Sequence, residues 1–328
     1  MVRAAAIQVA ASSAMLFYSI KRLGLAVIIV SVAMAMLFGM IYLIPGDPAA
    51  VALGPRATDA MREALRVKMG LDQPVWVQFW NFFTNAWTGD LGNEVLSDRP
   101  VATVVLEQLP FTLALIAGGI SWSVALGIPL GCLAAVKRGS WADRIVGVMS
   151  VAVIAVPSFV IAIYALLVFA VTLRWLPAIG AGEPGDIGDQ LLHLILPSLA
   201  VGLGWVGYIA RMVRASMLEV LEAPHIRTAR AFGLPDNMIT YRYALTIAIL
   251  PTITLLGVGI GQMLSSAVFA EIVFARPGVG KLVYDAILTR NFPLVTGAVL
   301  VTTVLFVLIN LIADLLIGLM DPRVRSRL

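Results

Sequence analysis

Six long, predominantly apolar stretches divide this chain, and each is long enough to cross a lipid bilayer as a helix. A helix needs about 20 apolar residues to span the hydrocarbon core. The stretches lie near Leu23–Ile44, Phe111–Val136, Ile145–Leu173, Leu191–Val213, Ile247–Ala270 and Leu294–Met320. Hydrophobic residues make up 60% of the chain and charged residues 13%, far from the composition of soluble domains. The sequence therefore predicts an integral membrane protein.

These stretches are expected to be α-helices, because polar backbone groups in hydrocarbon must bond to one another. A membrane β-barrel would show shorter segments of alternating hydrophobicity, which are not evident in the sequence. We predict an all-α integral membrane protein with about six transmembrane helices. The region between the first two stretches is too polar to span and is expected to fold over the membrane surface as a large external loop.

Lys and Arg residues near the ends of membrane spans mark the cytoplasmic side. Basic residues cluster before the first stretch and after the second, fourth and last; they are Arg3, Lys21, Arg22, Lys137, Arg138, Arg144, Arg214, Arg227, Arg230, Arg242, Arg323, Arg325 and Arg327. With six spans, all these clusters fall on one side. The opposite side carries mixed charges, namely Arg174, Glu183, Asp186, Asp189, Glu271, Arg276, Lys281, Asp285 and Arg290. Both termini are therefore predicted to be cytoplasmic.

The first stretch has one alternative interpretation, a cleaved signal peptide, because basic residues precede it. Its roughly 22 apolar residues are many for a signal peptide. No small-residue cleavage site precedes Pro45. We therefore expect this stretch to remain as the first transmembrane helix. The residues before Met15 add no spanning signal, so either Met1 or Met15 fits as the start of the chain.

The external region contains two helical patterns. Residues Ala57–Met69 alternate charged and apolar residues at helical spacing and end at Gly70, which predicts an amphipathic helix. A cluster of aromatic residues follows: Trp76, Phe79, Trp80, Phe82, Phe83 and Trp87. Amphipathic rings favour the headgroup zone of a membrane, so we favour an interfacial aromatic belt. A docking surface for an external partner is the alternative, and the two are compatible.

Several chemistries are disfavoured by the residue content. The net charge of +4 does not indicate nucleic-acid binding, because the basic residues lie at span ends rather than along one face. Cys132 is the single cysteine, so no disulfide within the chain is possible. His193 and His225 are predicted on opposite sides of the membrane and cannot share a metal. No catalytic set, metal site or cofactor is predicted.

A polar, basic segment, residues 222–251, separates the fourth and fifth stretches on the predicted cytoplasmic side. Glu222–Phe232 suits a helix, with Pro224 in the first turn and Gly233 as a stop signal. The segment therefore predicts a short helix that lies parallel to the membrane.

The two faces of this short helix differ in character. Arg227 and Arg230 are three residues apart and share one face. Ile226, Ala229 and Phe232 are expected to form an apolar strip suited to a shallow groove. A helix that faces lipid headgroups is the alternative, but two basic residues are few for lipid anchoring. We therefore favour docking to a partner protein.

This segment resembles the cytoplasmic coupling motif of ABC importer permeases, in the form found in the dipeptide and oligopeptide branch. The match is carried by Arg227-Thr228-Ala229-Arg230-Ala231, Gly233-Leu234 and Leu250-Pro251. Arg227 stands where the general importer motif has Glu, and the spacing from Gly233 to Pro251 is longer than in sugar importers. Both departures resemble the peptide branch.

The resemblance extends in order along nearly the whole chain. The further matches are Leu43-Ile44-Pro45-Gly46-Asp47-Pro48, Gly70-Leu71-Asp72-Gln73-Pro74, Gly89-Asp90-Leu91-Gly92, Leu109-Pro110-Phe111-Thr112-Leu113, Gly127-Ile128-Pro129-Leu130-Gly131, Arg138-Gly139-Ser140 with Asp143, Trp175-Leu176-Pro177, His193-Leu194-Ile195-Leu196-Pro197-Ser198-Leu199, Arg276-Pro277-Gly278-Val279-Gly280 and Asp321-Pro322-Arg323. Each motif alone is weak, whereas the ordered set is specific.

The resemblance implies a type I ABC importer permease fold in a bacterial inner membrane. It divides the chain into a cytoplasmic N-terminus (1–22), a first transmembrane helix (23–44), an external region (45–98), a permease core (99–318) with the coupling segment 222–251, and a cytoplasmic tail (319–328). It implies four partner subunits, namely a second homologous permease, two ATP-binding subunits and a periplasmic solute-binding protein, and transport by alternating access.

The resemblance assigns candidate coupling residues, and the residues within the spans suggest further sites. ATPase coupling falls on Ile226, Arg227, Thr228, Ala229, Arg230, Ala231, Phe232, Gly233 and Leu234. Polar residues within the spans that could line a translocation path are Ser158, Ser198, Gln262, Ser265 and Ser266.

The glycine pairs Gly127/Gly131 and Gly257/Gly261 are four residues apart and would allow close helix packing. Asp314 is expected to bond to a neighbour rather than to form an ion site.

ATP hydrolysis is not expected in this chain. Gly278-Val279-Gly280-Lys281 is similar to the end of a phosphate-binding loop, but Ala275 and Leu282 occupy positions where that loop needs Gly and Ser or Thr. Pro277-Gly278 is instead expected to form a turn before a short external helix ending near Phe292.

The leading hypothesis is therefore a permease subunit of an ATP-driven, binding-protein-dependent importer. Di- and oligopeptides are the expected substrates, although nickel chelates, opines, glutathione and some sugars use close relatives. An ion-coupled secondary transporter is the alternative, but it would normally show inverted repeats and more intramembrane charges. A membrane-embedded enzyme is disfavoured further, because no catalytic set lies at one depth.

Overall fold

The structure is a computed structural model that describes residues 2–43, 50, 57–95 and 97–320. Residues 44–49 and 51–56, which include the predicted Pro45-Gly46-Asp47-Pro48 motif, lie outside the described residues. The Asp321-Pro322-Arg323 motif and the basic residues of the predicted tail lie outside them too.

The described residues are mostly helical and contain no strand, which confirms the all-α prediction. The α-helices are α1 (Val2–Leu43), α2 (Asp59–Lys68), α3 (Val75–Thr88), α4 (Val101–Val136), α5 (Trp141–Ala155), α6 (Ser158–Ala165), α7 (Ile187–Leu221), α8 (Pro224–Ala231), α9 (Asp236–Met238), α10 (Leu245–Ala248), α11 (Leu250–Val273), α12 (Val279–Leu288) and α13 (Phe292–Met320). Two π-helical segments, Leu166–Thr172 and Ile239–Ala244, continue α6 and α9.

Five of the described helices are long and apolar enough to cross a membrane: Ser19–Met40 within α1, then α4, α7, α11 and Phe292–Leu315 within α13. The sixth predicted span, Ile145–Leu173, is not one straight helix, because α5 and Ser158–Thr172 meet at an angle of 101°. Pro157 explains the bend, since its ring disfavours a helical conformation of the preceding residue. Val156 is accordingly extended, with ψ 124°. Counting this bent pair as one span confirms the prediction of about six.

The first compact unit comprises Met1–Pro110 and Gly278–Leu328. Its core joins α1 to α13 through the buried residues Val30, Met34, Leu300 and Val307. Arg22 on α1 forms an ion pair with Asp314 on α13, with Nη1 2.8 Å from Oδ2. This pair supports the interpretation of Asp314 as a residue bonded to a neighbour.

The part of the first unit that follows α1 is held by polar contacts. Helix α2 confirms the predicted amphipathic helix, and Thr58 caps it by accepting a hydrogen bond from the Met61 amide at 3.3 Å. Lys68 at its end donates to Asp98 at 2.6 Å, and Asn93 donates to the same carboxylate at 3.1 Å. These hydrogen bonds lower the pKa of the Asp98 carboxyl.

Another short helix of the first unit, α12, starts directly after Gly278, as the predicted turn requires. It ends at Leu288, earlier than expected. Lys281, the residue of the phosphate-loop look-alike, is paired with Asp285 one turn later, with Nζ 2.5 Å from Oδ2. That contact fits a structural lysine on a helix surface.

The second compact unit comprises Phe111–Pro277. Within it, the α4 and α7 backbones approach closely at the predicted glycine pair. A Cβ atom on Gly131 would lie 2.5 Å from the carbonyl oxygen of Ala210, and one on Gly127 would lie 2.8 Å from Cβ of Ile209. Glycine is therefore required at both positions for this helix contact. Gly257 and Gly261 are also buried, in α11.

Candidate functional site

The predicted coupling helix is present as α8, at the end of the long helix α7. Pro224 occupies its first turn, where no amide donor is needed. Gly233 ends it in the left-handed conformation, with φ 75°. The Gly233 amide donates to the Arg230 carbonyl at 2.9 Å, and the Leu234 amide donates to the Ala229 carbonyl at 3.3 Å. This is the glycine-terminated Schellman arrangement.

One face of α8 packs inside the second unit. Ile226 is fully buried and Ala229 is 8% exposed, whereas Phe232 is 82% exposed. The two buried side chains join a core cluster that contains Met217 of α7 and Ile239 of the π-helical segment. The expectation of one outward apolar strip was therefore wrong for Ile226 and Ala229. Their spacing of three residues places both on the face toward the chain's own core, and burial there removes apolar surface from water.

The opposite face of the segment is open to solvent and basic. Its exposed residues are His225, Arg227, Thr228, Arg230, Ala231, Phe232 and Gly233. Neither Arg227 nor Arg230 forms an ion pair with another described residue. No neighbouring atom lies within 4 Å of the position that a Cβ on Gly233 would occupy. The face therefore exposes two cations, an aromatic ring and a small turn.

Ion pairs and hydrogen bonds connect the segments next to α8. Arg138, after α4, reaches Glu222 at the end of α7 with a separation of 2.8 Å. Asp143 near the start of α5 is 7% exposed and forms two bonds with Arg214 of α7. The Gly139 amide donates to the same carboxylate at 2.9 Å. These contacts connect the loop after α4 to α7 and give the matched Arg138-Gly139-Ser140/Asp143 motif a structural role.

The rest of the segment returns the chain to the next span. Residues Ile239–Ala244 form the π-helical turn, in which Ile239 and Ala244 are buried in the same core as Ile226. The matched Leu250-Pro251 pair begins α11, with Pro251 in its first turn. The segment is thus a folded, internally packed extension of the bundle.

The predicted path residues are divided between two environments. Gln262 and Ser265 lie three residues apart on an exposed face of α11. Ser266, which is half-buried, donates to the Gln262 carbonyl at 3.3 Å, and Ser158 is half-buried at the start of α6. Ser198 is 2% exposed and accepts a hydrogen bond from Trp122 Nε1 at 3.2 Å. The structure therefore brings Gln262 and Ser265 together and places Ser198 inside the packed bundle.

Sequence reasoning missed a buried polar cluster at the far end of α11. Glu271 was counted among the external charges, but it is fully buried and accepts a hydrogen bond from Thr112 at 2.6 Å. Arg276 is 3% exposed, and its guanidinium carbon lies 5.9 Å from the centre of the Phe111 ring. Burial lowers the pKa of Arg276, while the Glu271 carboxylate opposes that shift. The position of Glu271 and Arg276 at the end of an apolar stretch did not indicate that their side chains are buried.

The model of a family described as binding-protein-dependent transport system inner membrane component matches residues 127–326. The N-terminal model of such membrane components matches residues 15–116. The first match alone covers more than half of the chain and includes α8 with its anchoring contacts.

Curated relatives match nearly end to end. The glutathione transport system permease protein GsiC of Pectobacterium atrosepticum is 36% identical over 313 residues, which cover 95% of this chain and 100% of the relative. The protein of the same name from Escherichia coli K12 has the same identity and coverage.

A solved structure supports the fold. The chain is similar to one from the inward-facing MetNI methionine ABC transporter, with a TM-score of 0.53 at 17% identity. The match covers 66% of this chain and 96% of that one. This is a type I ABC importer permease fold. The chain therefore belongs to the family of binding-protein-dependent transport system inner membrane components, the permease subunits of ABC importers that act with ATP-binding subunits and a binding protein.

Proposed function

We propose that this permease imports di- or oligopeptides, or related small solutes such as glutathione. The substrate class is supported by the glutathione permeases that match 95% of the chain at 36% identity. The proposed assembly contains a second homologous permease, two ATP-binding subunits and a periplasmic solute-binding protein. The mechanism is carried by one observation, namely that α8 is rigidly packed on one face and fully available on the other.

Coupling is assigned to residues of and around α8, divided by role. Arg227, Thr228, Arg230, Ala231, Phe232 and Gly233 contact the ATP-binding subunit, while Ile226, Ala229 and Leu234 hold the helix on the permease. Two exposed cations that have no internal ion pair favour an acidic groove on the partner. Phe232 supplies an apolar anchor of the kind that dominates binding energies at protein interfaces.

Movement of the ATP-binding subunits reaches the spans through packed contacts. A rigid displacement of α8 shifts Met217 and Ile239, because Ile226 is fully enclosed with them. The pair Asp143–Arg214 carries the displacement from α7 to α5. Closely packed cores shift between discrete arrangements rather than deform continuously, which suits alternating access.

The translocation path is proposed to follow the exposed face of α11. Residues along this face recur every three or four positions and are Pro251, Thr254, Val258, Gln262, Ser265 and Phe269. Exposing hydroxyl and amide groups of a spanning helix to lipid costs free energy. We therefore expect this face to border a polar path or a second permease. Gln262 and Ser265 contact the substrate, with Ser158 and Ser266 at the margin of the path. Ser198 supports the α4–α7 packing instead.

The proposed topology places both termini and α8 in the cytoplasm of a bacterium and the region 45–98 outside its inner membrane. The permease core is then 99–318, preceded by the N-terminus (1–22) and first transmembrane helix (23–44) and followed by the tail (319–328). Clustering of Lys and Arg at one set of span ends supports this orientation.

The test is uptake of labelled dipeptide and glutathione into proteoliposomes that contain the complete transporter, its binding protein and internal ATP. Gly233→Asp adds bulk and negative charge at the turn that ends α8. We expect it to abolish uptake while the permease stays folded in the membrane. Asn tolerates a positive φ better than most residues, so Gly233→Asn serves as the control for backbone strain. Uptake by this chain alone, driven by an ion gradient, would instead support a secondary transporter.

A further inference from the structure

Helix α3 contains no charged residue, although it belongs to the polar region after the first span. Three of its tryptophans are strongly exposed, namely Trp76 at 69%, Trp80 at 54% and Trp87 at 47%. Helical geometry, at about 3.6 residues per turn, puts these three positions on one face. A contiguous exposed aromatic face of this kind marks an interaction site.

The opposite face of α3 is polar. It carries the amides of Gln78, Asn81 and Asn85, at a spacing of three and four residues. Gln78 donates to the Gln73 carbonyl at 2.7 Å, and Asn81 donates to the Gln73 side chain at 3.1 Å. The amides line a cavity of about 310 Å³ that also includes Lys68, Asp90 and Glu94. Asn81 and Asn85 are exposed on this face, so it is polar and is directed away from the tryptophans.

A third face of α3 packs against α1. Phe79 and Phe82 pack on Phe38 of α1, with ring centres 5.4 and 6.0 Å apart. Phe38 lies in the second half of the predicted first span, Leu23–Ile44, six residues before its end. Helix α3 is thus attached to α1 near the end of the predicted first span.

We propose that the Trp76, Trp80 and Trp87 face inserts into the lipid headgroup zone beside the first span, in the outer leaflet under the proposed topology. Tryptophan favours this zone because its ring is apolar and its indole N–H is polar. The geometry points to lipid rather than protein, since an apolar face, a polar face on the opposite side and attachment at the end of a span are the features of an interfacial helix. The external region is thereby anchored to the bilayer through α3.

The experiment compares two adjacent positions on opposite faces of α3. In a Cys132→Ala background, Trp80→Cys and Asn81→Cys are labelled separately with an environment-sensitive fluorophore. Each full chain is then placed in nanodiscs of phosphatidylethanolamine and phosphatidylglycerol. We expect the label at position 80 to emit at shorter wavelength and to be quenched mainly by headgroup nitroxide lipids. The label at position 81 should be quenched mainly by aqueous iodide.

Two outcomes would overturn the proposal. Equal iodide quenching at both positions would show that the tryptophan face is in water. Protection of position 80 only after addition of the solute-binding protein would show that the face docks a protein. Neither outcome depends on transport, so the proposed substrate and coupling would be unaffected.

A second measurement uses native tryptophan fluorescence, so it does not depend on whether the cysteine variants fold. Shallow brominated lipids should quench the native tryptophan fluorescence of the unmodified chain. The variant Trp76→Phe/Trp80→Phe/Trp87→Phe should lose most of that component. The same quenching in both proteins would contradict insertion of this face.

Discussion

Arg214 holds the carboxylate of Asp143 through two hydrogen bonds, with Nε 2.5 Å from Oδ1 and Nη2 2.9 Å from Oδ2. Two-point geometry of this kind is specific to arginine and fixes both side chains. Since Asp143 lies in the first turn of α5 and Arg214 lies near the end of α7, the pair joins these two helices close to α8. Any force applied to α8 is therefore shared by α5 and α7.

The Asp143–Arg214 pair should contribute to both stability and coupling. Asp143→Asn removes the charge but keeps the side-chain size, and we expect the free energy of unfolding to fall by about 2 kcal/mol. ATP-driven uptake should fall as well. Arg138→Gln removes the exposed partner of Glu222 and should cost less than about 1 kcal/mol. Thermal unfolding in detergent and proteoliposome uptake measure the two effects, and equal destabilisation by both variants would contradict this account.

The two sides of α8 should separate folding from docking. Ile226→Ala deletes a fully buried side chain, which should lower the free energy of unfolding by about 2–5 kcal/mol. Phe232→Ala removes a side chain that is 82% exposed, so stability should hardly change while substrate-stimulated ATP hydrolysis and uptake fall. Thermal unfolding in detergent, ATP hydrolysis and uptake are measured for both variants. Full uptake by the Phe232 variant would remove this ring from the docking surface.

Glycine at position 131 should be required for the α4–α7 contact. Gly131→Ala places a methyl group against the Ala210 carbonyl, and overpacking of this kind costs about 1–3 kcal/mol. Gly147→Ala is the matched control in α5, because a Cβ there meets nothing within 4 Å. Alanine favours a helix more than glycine does, so the control should be neutral or stabilising in thermal unfolding. A destabilised Gly147 variant beside an unaffected Gly131 variant would refute the packing argument.

Acid should weaken the contact between Lys68 and Asp98 in a defined direction. The folded-state pKa of Asp98 is lowered by its hydrogen bonds, so its contribution is complete above the unfolded pKa, about 3.9. It is then lost as the pH falls through the lowered value. Asp98→Asn should therefore reduce the unfolding midpoint at neutral pH but not in strong acid. A difference that persists unchanged in strong acid would argue against an electrostatic role.

The sequence predicted the elements whose signals are local. Apolar stretches gave the spans, and Pro224 with Gly233 gave the limits of α8. It did not predict features that depend on tertiary contacts. The direction of Ile226 depends on where α7 and Ile239 place the core, and the burial of Glu271 depends on Thr112, far away in the chain. The bend at Pro157 could have been anticipated, because proline disfavours a helical conformation before it.

The family assignment also decides between the alternatives that the sequence left open. Membership in the importer permease family disfavours the ion-coupled transporter and the enzyme. The single carboxylate near the end of the last span, Asp314, is used in a pair with Arg22. Under the proposed coupling, ATP hydrolysis acts through the outer face of α8.

The most direct test of this claim is site-specific photo-crosslinking within the assembled transporter. A photoreactive phenylalanine analogue replaces Phe232, and in a separate protein it replaces Trp175, which is 70% exposed on the segment between α6 and α7. We predict an adduct with an ATP-binding subunit from position 232 and none from position 175. An intact complex that gives no such adduct from position 232 would contradict the docking of α8.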